Sequence, residues 1–189
     1  MKKIILILAL VVLLIFPIYS QDKDEEWYRT QVGTGSDGNC GPASVAMTIL
    51  WSTEYNISVE QVRNYIGYTR PDGATDFMEL AEAMRNWDVP YDIEIIQSLV
   101  GLKSLVDRKD LMAIVLIDTK GITYDPDGKF NRNYSLEVGH YIVLNEVYSS
   151  YFVVQDPMPG GHDRRYHVDE VWNSLKDHRV ILVRNYDER

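Results

Sequence analysis

The single cysteine of this 189-residue chain, Cys40, stands where a thiol can act as a nucleophile. A glycine-rich loop at 33–39 precedes it, and residues 41–51 have the apolar spacing of a buried helix. A thiol at a helix N-terminus lies at the positive end of the helix dipole, which favours the thiolate, and the free backbone N–H groups there can bind an oxyanion. A lone cysteine is also common as a small buried apolar residue. Its place at the junction of loop and helix favours the nucleophile.

A nucleophilic cysteine needs a base, and His140 is the best-placed histidine. It comes directly before the apolar run 141–144, so a strand would hold its imidazole rigidly at one end. The next strand-like run, 151–155, ends at Asp156. If the two strands pair through the short turn between them, Asp156 lies beside His140 and can orient the imidazole. A capping histidine and an Asp-Pro turn are the structural alternatives. The other histidines lie in polar stretches and are predicted to be surface residues: His162, His167 and His178.

Four helices are predicted in the first half of the chain. The first begins at Cys40 and is apolar on nearly all sides, which is typical of a helix in the middle of a domain. Ser58, with Gln61 three residues later, forms a capping box at the start of the second. Apolar residues at helical spacing predict a third near 77–84, and 98–106 is predicted to be a shorter fourth.

The second half of the chain changes to the spacing of strands. The run 112–117 predicts one strand, and 141–147 with 151–155 predicts an antiparallel hairpin. A further helix is predicted at 168–175 and a closing strand at 180–183. Helices followed by an antiparallel sheet indicate the α+β class. Because there are no repeats or low-complexity linkers, residues 21–189 are predicted to form one domain.

Three segments around the candidate residues resemble those of one peptidase family. They are Asn39-Cys40-Gly41-Pro42-Ala43-Ser44, Gly139-His140-Tyr141-Ile142-Val143-Leu144 and Val154-Gln155-Asp156-Pro157. In this order they resemble the papain-like cysteine peptidases of the bacteriocin-processing (double-glycine leader) type, above all the stand-alone exported relatives, over roughly residues 30–183. The resemblance implies a papain-like fold with N-terminal helices packed on an antiparallel sheet. It also implies that Cys40 is the nucleophile, His140 the general base and Asp156 the orienting acid.

The family also uses a glutamine before the cysteine to complete the oxyanion hole. Gln31 is the candidate here, nine residues upstream of Cys40 and farther away than in the family pattern. An insertion in the loop 33–38 can account for the difference. Asn39 or a backbone amide is the alternative donor.

The first twenty residues have the layout of a secretory signal peptide. Lys2 and Lys3 precede the apolar run 4–16, and the chain becomes strongly polar after Ser20. We therefore expect cleavage near Gln21 and a secreted or periplasmic protein that meets the membrane only through this segment. A retained membrane anchor is the alternative, although 4–19 is shorter than the roughly 20 residues that span a bilayer.

Composition and charge narrow the set of partners. The chain has 19 Lys and Arg against 28 Asp and Glu, a net charge of −9, and such a surface repels the phosphates of nucleic acids. Its 46% of hydrophobic residues can supply a core, which excludes a disordered chain. The run 125–128 lacks the ligand spacing of a calcium loop, and 162–167 lacks a fourth metal ligand. We expect no cofactor and no metal.

These features predict an exported cysteine peptidase that cleaves a peptide or protein substrate through a Cys-His-Asp triad and a thioester acyl-enzyme. An amidase or transglutaminase-type acyl transferase on the same scaffold is one alternative, because it shares the acyl-enzyme step. A binding protein that has lost catalysis is the other. The complete Cys-His-Asp set argues against the binding protein, and the displaced Gln31 argues for it. Trimming of double-glycine leaders is not expected, because export places the chain on the other side of the membrane.

Overall fold

A computed structural model describes residues 27–34, 38–53, 55–68, 73–123, 134 and 137–185 of the chain. The predicted signal segment, the polar residues directly after it and the run 125–128 lie outside these residues. Within the described part, no helix combines the length and the apolar character that a membrane crossing requires.

From Cys40 onward, the described part of the chain begins with three helices that form one layer: α1 (Cys40–Thr53), α2 (Val59–Ile66) and α3 (Phe77–Asn86). Residues 41–49 of α1 are all buried, as the apolar pattern predicts. The capping box of Ser58 and Gln61 opens α2, which confirms that prediction. A second capping box, formed by Asp76 and Glu79, opens α3 and fixes the loop that leads into it.

The remaining elements are strands interrupted by short helices. In chain order they are β1 (Tyr91–Ile95), α4 (Leu99–Val106), β2 (Leu111–Asp118), a 3₁₀ turn (Thr119–Gly121), β3 (Gly139–Val147), β4 (Tyr151–Gln155), β5 (Arg164–His167), α5 (Val168–Ser174) and β6 (Leu175–Arg184). The strands form one six-stranded sheet in the order β1-β6-β2-β3-β4-β5, and all the pairings are antiparallel. The α+β class is therefore confirmed.

The sheet has a hydrophobic core on each face. On one face, α1, α2 and α3 pack against side chains of β2, β3 and β6, such as Ile114, Val143 and Ile181. On the other face, α4 and α5 cover alternate residues of the same strands. The sheet thus separates two layers of helices, and α1 lies directly over the strands that carry the candidate histidine.

The predicted hairpin is present in β3 and β4. Val143 pairs with Gln155 and Leu144 with Val154, and the register shifts between Leu144 and Glu146. This pairing brings the beginning of β3 to the end of β4. The closing strand β6 is longer than predicted, and β1 and β5 were not predicted at all.

Candidate active site

Cys40 is the first residue of α1, where the sequence pattern predicts it. The N–H of Ala43 donates to the carbonyl of Asn39 at 2.9 Å, so the helical hydrogen bonds begin directly before the cysteine. Gly41 lets α1 approach its neighbours closely, because a Cβ there would lie 2.9 Å from Cδ2 of Leu80. The thiol is half-buried and belongs to a free cysteine.

His140 is the second residue of β3 and lies in the sheet opposite Ile117 of β2. Its side chain is buried, and its Nε2 lies 2.8 Å from Oδ1 of Asp156. This contact occupies Nε2, so Nδ1 is the ring nitrogen that remains for an interaction with Cys40. The structure thus brings together the three residues that the sequence singled out.

Asp156 directly follows β4 and is completely buried. Its Oδ1 also accepts the backbone N–H of Met158 at 2.9 Å. Its Oδ2 accepts the hydroxyls of Tyr134 and Tyr166, each at 2.5 Å. A carboxylate with this many donors has one fixed rotamer, and Oδ1 is thereby held toward His140.

The buried charges of the site stabilise one another. Burial raises the pKa of Cys40, but the hydrogen bond and charge of His140 and the backbone N–H groups of Tyr141 and Gly41 lower it below its usual value. Burial lowers the pKa of His140, but Asp156 and Cys40 raise it to about 10. Burial raises the pKa of Asp156, but His140 and the tyrosine hydroxyls hold it well below its usual range. At neutral pH these shifts favour a thiolate beside an imidazolium.

Gln31 is buried at the edge of the same site. Its backbone N–H donates to the carbonyl of Pro157 at 2.8 Å, and the hydroxyl of Thr30 donates to the same carbonyl at 2.9 Å. The segment around Gln31 is thus anchored beside Asp156.

Asn39, the alternative oxyanion donor, has its side chain engaged elsewhere. Its Nδ2 donates to the carbonyl and the hydroxyl oxygen of Thr34, and its Oδ1 accepts from Arg63. Because both amide hydrogens already have acceptors, the Asn39 side chain has none to offer an oxyanion.

Sequence reasoning missed the residues that surround the triad candidates. Tyr134, Tyr166 and Arg63 are far from Cys40 along the chain, and no spacing rule connects them to it.

Sequence reasoning also placed His162 and His178 on the surface, whereas both are half-buried. His162 packs edge-on against Tyr28, because the turn after Asp156 folds back on that segment. His178 packs against Trp172. His167 is exposed, as predicted.

No group of three or more His, Cys, Asp or Glu side chains suited to a metal ion occurs in the described part of the chain. The arrangement that does occur is a half-buried thiol, an imidazole held by a carboxylate, and a helix N-terminus. Such a set can form a covalent acyl intermediate.

Comparison with known proteins finds similarity among solved structures. No family model matches the chain, and no curated protein matches it. The peptidase domain of Streptococcus ComA, a bifunctional ABC transporter involved in a quorum-sensing pathway, matches with a TM-score of 0.58 and 16% identity, over 84% of this chain and 97% of that domain. A Bacillus anthracis protein described as a C39-like peptidase matches with a TM-score of 0.58 and 13% identity, over 82% of this chain and 92% of that one.

A third structure is a double-glycine-motif protease from an AMS/PCAT transporter in complex with the leader peptide. It matches with a TM-score of 0.53 and 20% identity, over 77% of this chain and 84% of that one. The similarity to these structures confirms the fold that the sequence resemblance implies: the chain has the papain-like α+β fold of the C39-like and double-glycine peptidase domains.

Proposed function

We propose that this protein is a cysteine peptidase with Cys40, His140 and Asp156 as its catalytic triad. One observation carries the proposal: Nε2 of the His140 ring lies 2.8 Å from a buried carboxylate, and the same ring interacts with the Cys40 thiol at a helix N-terminus. This order of carboxylate, imidazole and thiol is the one that a cysteine triad requires. The fold shared with peptidase domains supports the same function.

The proposed reaction follows from the charges of the site. The Cys40 thiolate attacks the carbonyl carbon of a peptide bond and forms a C–S bond, while the carbonyl oxygen becomes an oxyanion. The His140 imidazolium then gives its proton to the departing amine, and a thioester remains on Cys40. Water, deprotonated by His140, attacks the thioester and releases the acid and the thiolate. Asp156 keeps the imidazole oriented and stabilises its charged form throughout.

Two groups are proposed to stabilise the oxyanion. The first is the backbone N–H at the start of α1, where the helix leaves donors without intrahelical partners. The second is the side-chain amide of Gln31, whose backbone is held next to Asp156 through Pro157. The engaged side chain of Asn39 supports Gln31 over the alternative.

The proposed substrate is a peptide or an unstructured segment of a protein. One structure of the same fold holds a leader peptide, which supports a peptide as the ligand class. The layout of residues 1–20 supports export, with the mature chain starting near Gln21 and acting outside the cytoplasm or in the periplasm.

The decisive experiment combines thiol labelling with cleavage profiling. A thiol-directed acylating probe should label the protein but not Cys40→Ala, and a peptide library should be cleaved by the protein but not by Cys40→Ala or His140→Ala. His167→Ala is the matched control, because this histidine is exposed and should keep full activity. Labelling without cleavage would instead indicate an acyl transferase, and absence of labelling a binding protein. Either result would contradict the proposal.

A further inference from the structure

Arg63 is a buried basic residue next to the loop that leads into Cys40. It lies in the second turn of α2, and only 2% of its surface is exposed. A cation is seldom buried to this extent without a paired carboxylate. Among the ion pairs of the described residues, however, none involves Arg63.

The guanidinium is held by neutral oxygens instead. Nε donates to Oδ1 of Asn39 at 2.6 Å, and Nη2 donates to the carbonyl of Gly38 at 2.9 Å. Asn39 and Gly38 are the two residues directly before Cys40, so these two hydrogen bonds hold the turn that leads into α1. A lysine could not reproduce this planar fork of donors.

The Arg63 guanidinium also holds two further segments of the chain. Nη1 donates to the carbonyl of Gly67 at 3.1 Å, at the end of α2. Nη2 also donates to the carbonyl of Gly73 at 3.0 Å and to the hydroxyl of Thr75 at 2.9 Å, in the loop before α3. Gly38 and Gly73 lie so close that a Cβ on Gly38 would come 2.5 Å from the Gly73 carbonyl oxygen. Arg63 therefore joins both of these segments to the nucleophile loop.

The positive charge of Arg63 also acts on Cys40. Burial lowers the pKa of Arg63, while Tyr68, Cys40 and Glu79 raise it. Since an interaction between two charges is mutual, the Arg63 cation favours the thiolate form of Cys40, although less strongly than His140 does. Among the described residues, His140 and Tyr141 of β3 are further titratable groups that interact with Cys40.

We propose that Arg63 is a positioning residue for the nucleophile: its guanidinium fixes the turn that leads into Cys40 and places a buried positive charge beside that turn. If the side chain at this position only filled space, an apolar residue would make the folded protein more stable, because burying a charge costs free energy. This inference rests on the proposed role of Cys40 as nucleophile.

The test measures the ionisation of Cys40 rather than turnover. The rate of alkylation by iodoacetamide is followed between pH 4 and pH 10, and with a single cysteine in the chain the signal belongs to Cys40 alone. Arg63→Met should move the midpoint of this profile upward by about half to one pH unit, which makes alkylation roughly three- to tenfold slower below the midpoint. Arg63→Lys keeps the charge and should leave the midpoint close to that of the unchanged protein. Arg85→Met, which changes an exposed arginine on α3, is the matched control and should not move it.

An unchanged midpoint in Arg63→Met would overturn the proposal, as would an equal displacement in Arg63→Lys and Arg63→Met. If Arg63→Met does not fold, Arg63→Lys decides: a wild-type midpoint with slower peptide cleavage supports the proposal, and a raised midpoint or unchanged cleavage overturns it. An ordinary thiol profile in the unchanged protein would contradict the proposed function instead, so the two failures can be told apart.

Discussion

Replacing Asp156 with asparagine tests how much the carboxylate contributes to the proposed triad. Oδ1 of Asp156 accepts from His140 and Met158, and Oδ2 accepts from Tyr134 and Tyr166. An asparagine can keep its oxygen toward His140 and place its NH₂ toward the two tyrosines. Their hydroxyls can turn to accept hydrogen bonds, because a phenol is both donor and acceptor. Asp156→Asn therefore preserves the shape of the site and removes mainly the negative charge.

The size of the effect follows from the pKa of His140. Asp156 is the main group that raises this pKa to about 10, and without the charge it should return toward the ordinary 6.5. At 1.36 kcal/mol per pKa unit, a return from about 10 to 6.5 corresponds to about 5 kcal/mol of imidazolium stabilisation. The asparagine oxygen and the Cys40 thiolate retain part of that stabilisation. If half is lost, about 2 to 3 kcal/mol, kcat/KM at pH 7 falls roughly 30- to 150-fold.

This loss is smaller than the roughly 10⁴-fold loss that the same change causes in a serine triad. A serine hydroxyl must give up its proton during the attack, whereas the Cys40 thiol already has a lowered pKa. The expected loss of kcat/KM in Asp156→Asn is therefore real but smaller than the loss in a serine triad.

The assay is the pH profile of kcat/KM on a peptide selected from the library, with Asp169→Asn as the control. Asp169 is an exposed carboxylate in the first turn of α5, and its replacement should leave the profile unchanged. In Asp156→Asn the alkaline limb should move from near pH 10 toward neutral pH, since the imidazolium is then lost at a lower pH. Activity within threefold of the unchanged protein, with an unmoved alkaline limb, would refute the reasoning.

Four further outcomes are expected. Activity of the unchanged protein should fall as the pH rises through about 10, because the raised pKa of His140 keeps its ring protonated below that pH and the ring loses its proton above it. The double change Cys40→Ala with His140→Ala should be no worse than either single change, because the two residues act as a unit. Tyr166→Phe should lower the free energy of unfolding in urea by about 1 to 3 kcal/mol, since Asp156 loses a donor, and exposed Tyr148→Phe should change it little. N-terminal sequencing of the exported protein should start near Gln21, and a retained Met1 would contradict the predicted cleavage.

The sequence was informative where local patterns decide the structure. The hairpin of β3 and β4 follows from two β-branched runs and a short turn, and it alone places His140 beside Asp156. The position of Cys40 at the start of α1 follows from the change between a glycine-rich loop and an apolar run. Each of these inferences needs only residues that are close along the chain.

The sequence was uninformative where contacts join distant segments. β1 and β5 are edge strands, and most residues of β1 are exposed, so its sequence lacks the apolar run of a buried strand. Tyr166 and Tyr134 reach Asp156 from different parts of the chain. The position of Arg63 beside Asn39 depends on how α2 packs against α1, which no helical pattern encodes.

The spacing between Gln31 and Cys40 shows why distance along the chain can mislead. The N–H of Gln31 and the hydroxyl of Thr30 both bond to the Pro157 carbonyl, so contacts with the turn after β4 fix this segment. At the other end of the loop, Asn39 is bonded to Thr34 and to Arg63. Because Pro157 holds one end of the loop and Arg63 holds the other, residues added between these two anchors need not displace either Gln31 or Cys40. The longer spacing is therefore compatible with Gln31 as an oxyanion donor, and the complete Cys-His-Asp set is a better guide to activity than the spacing.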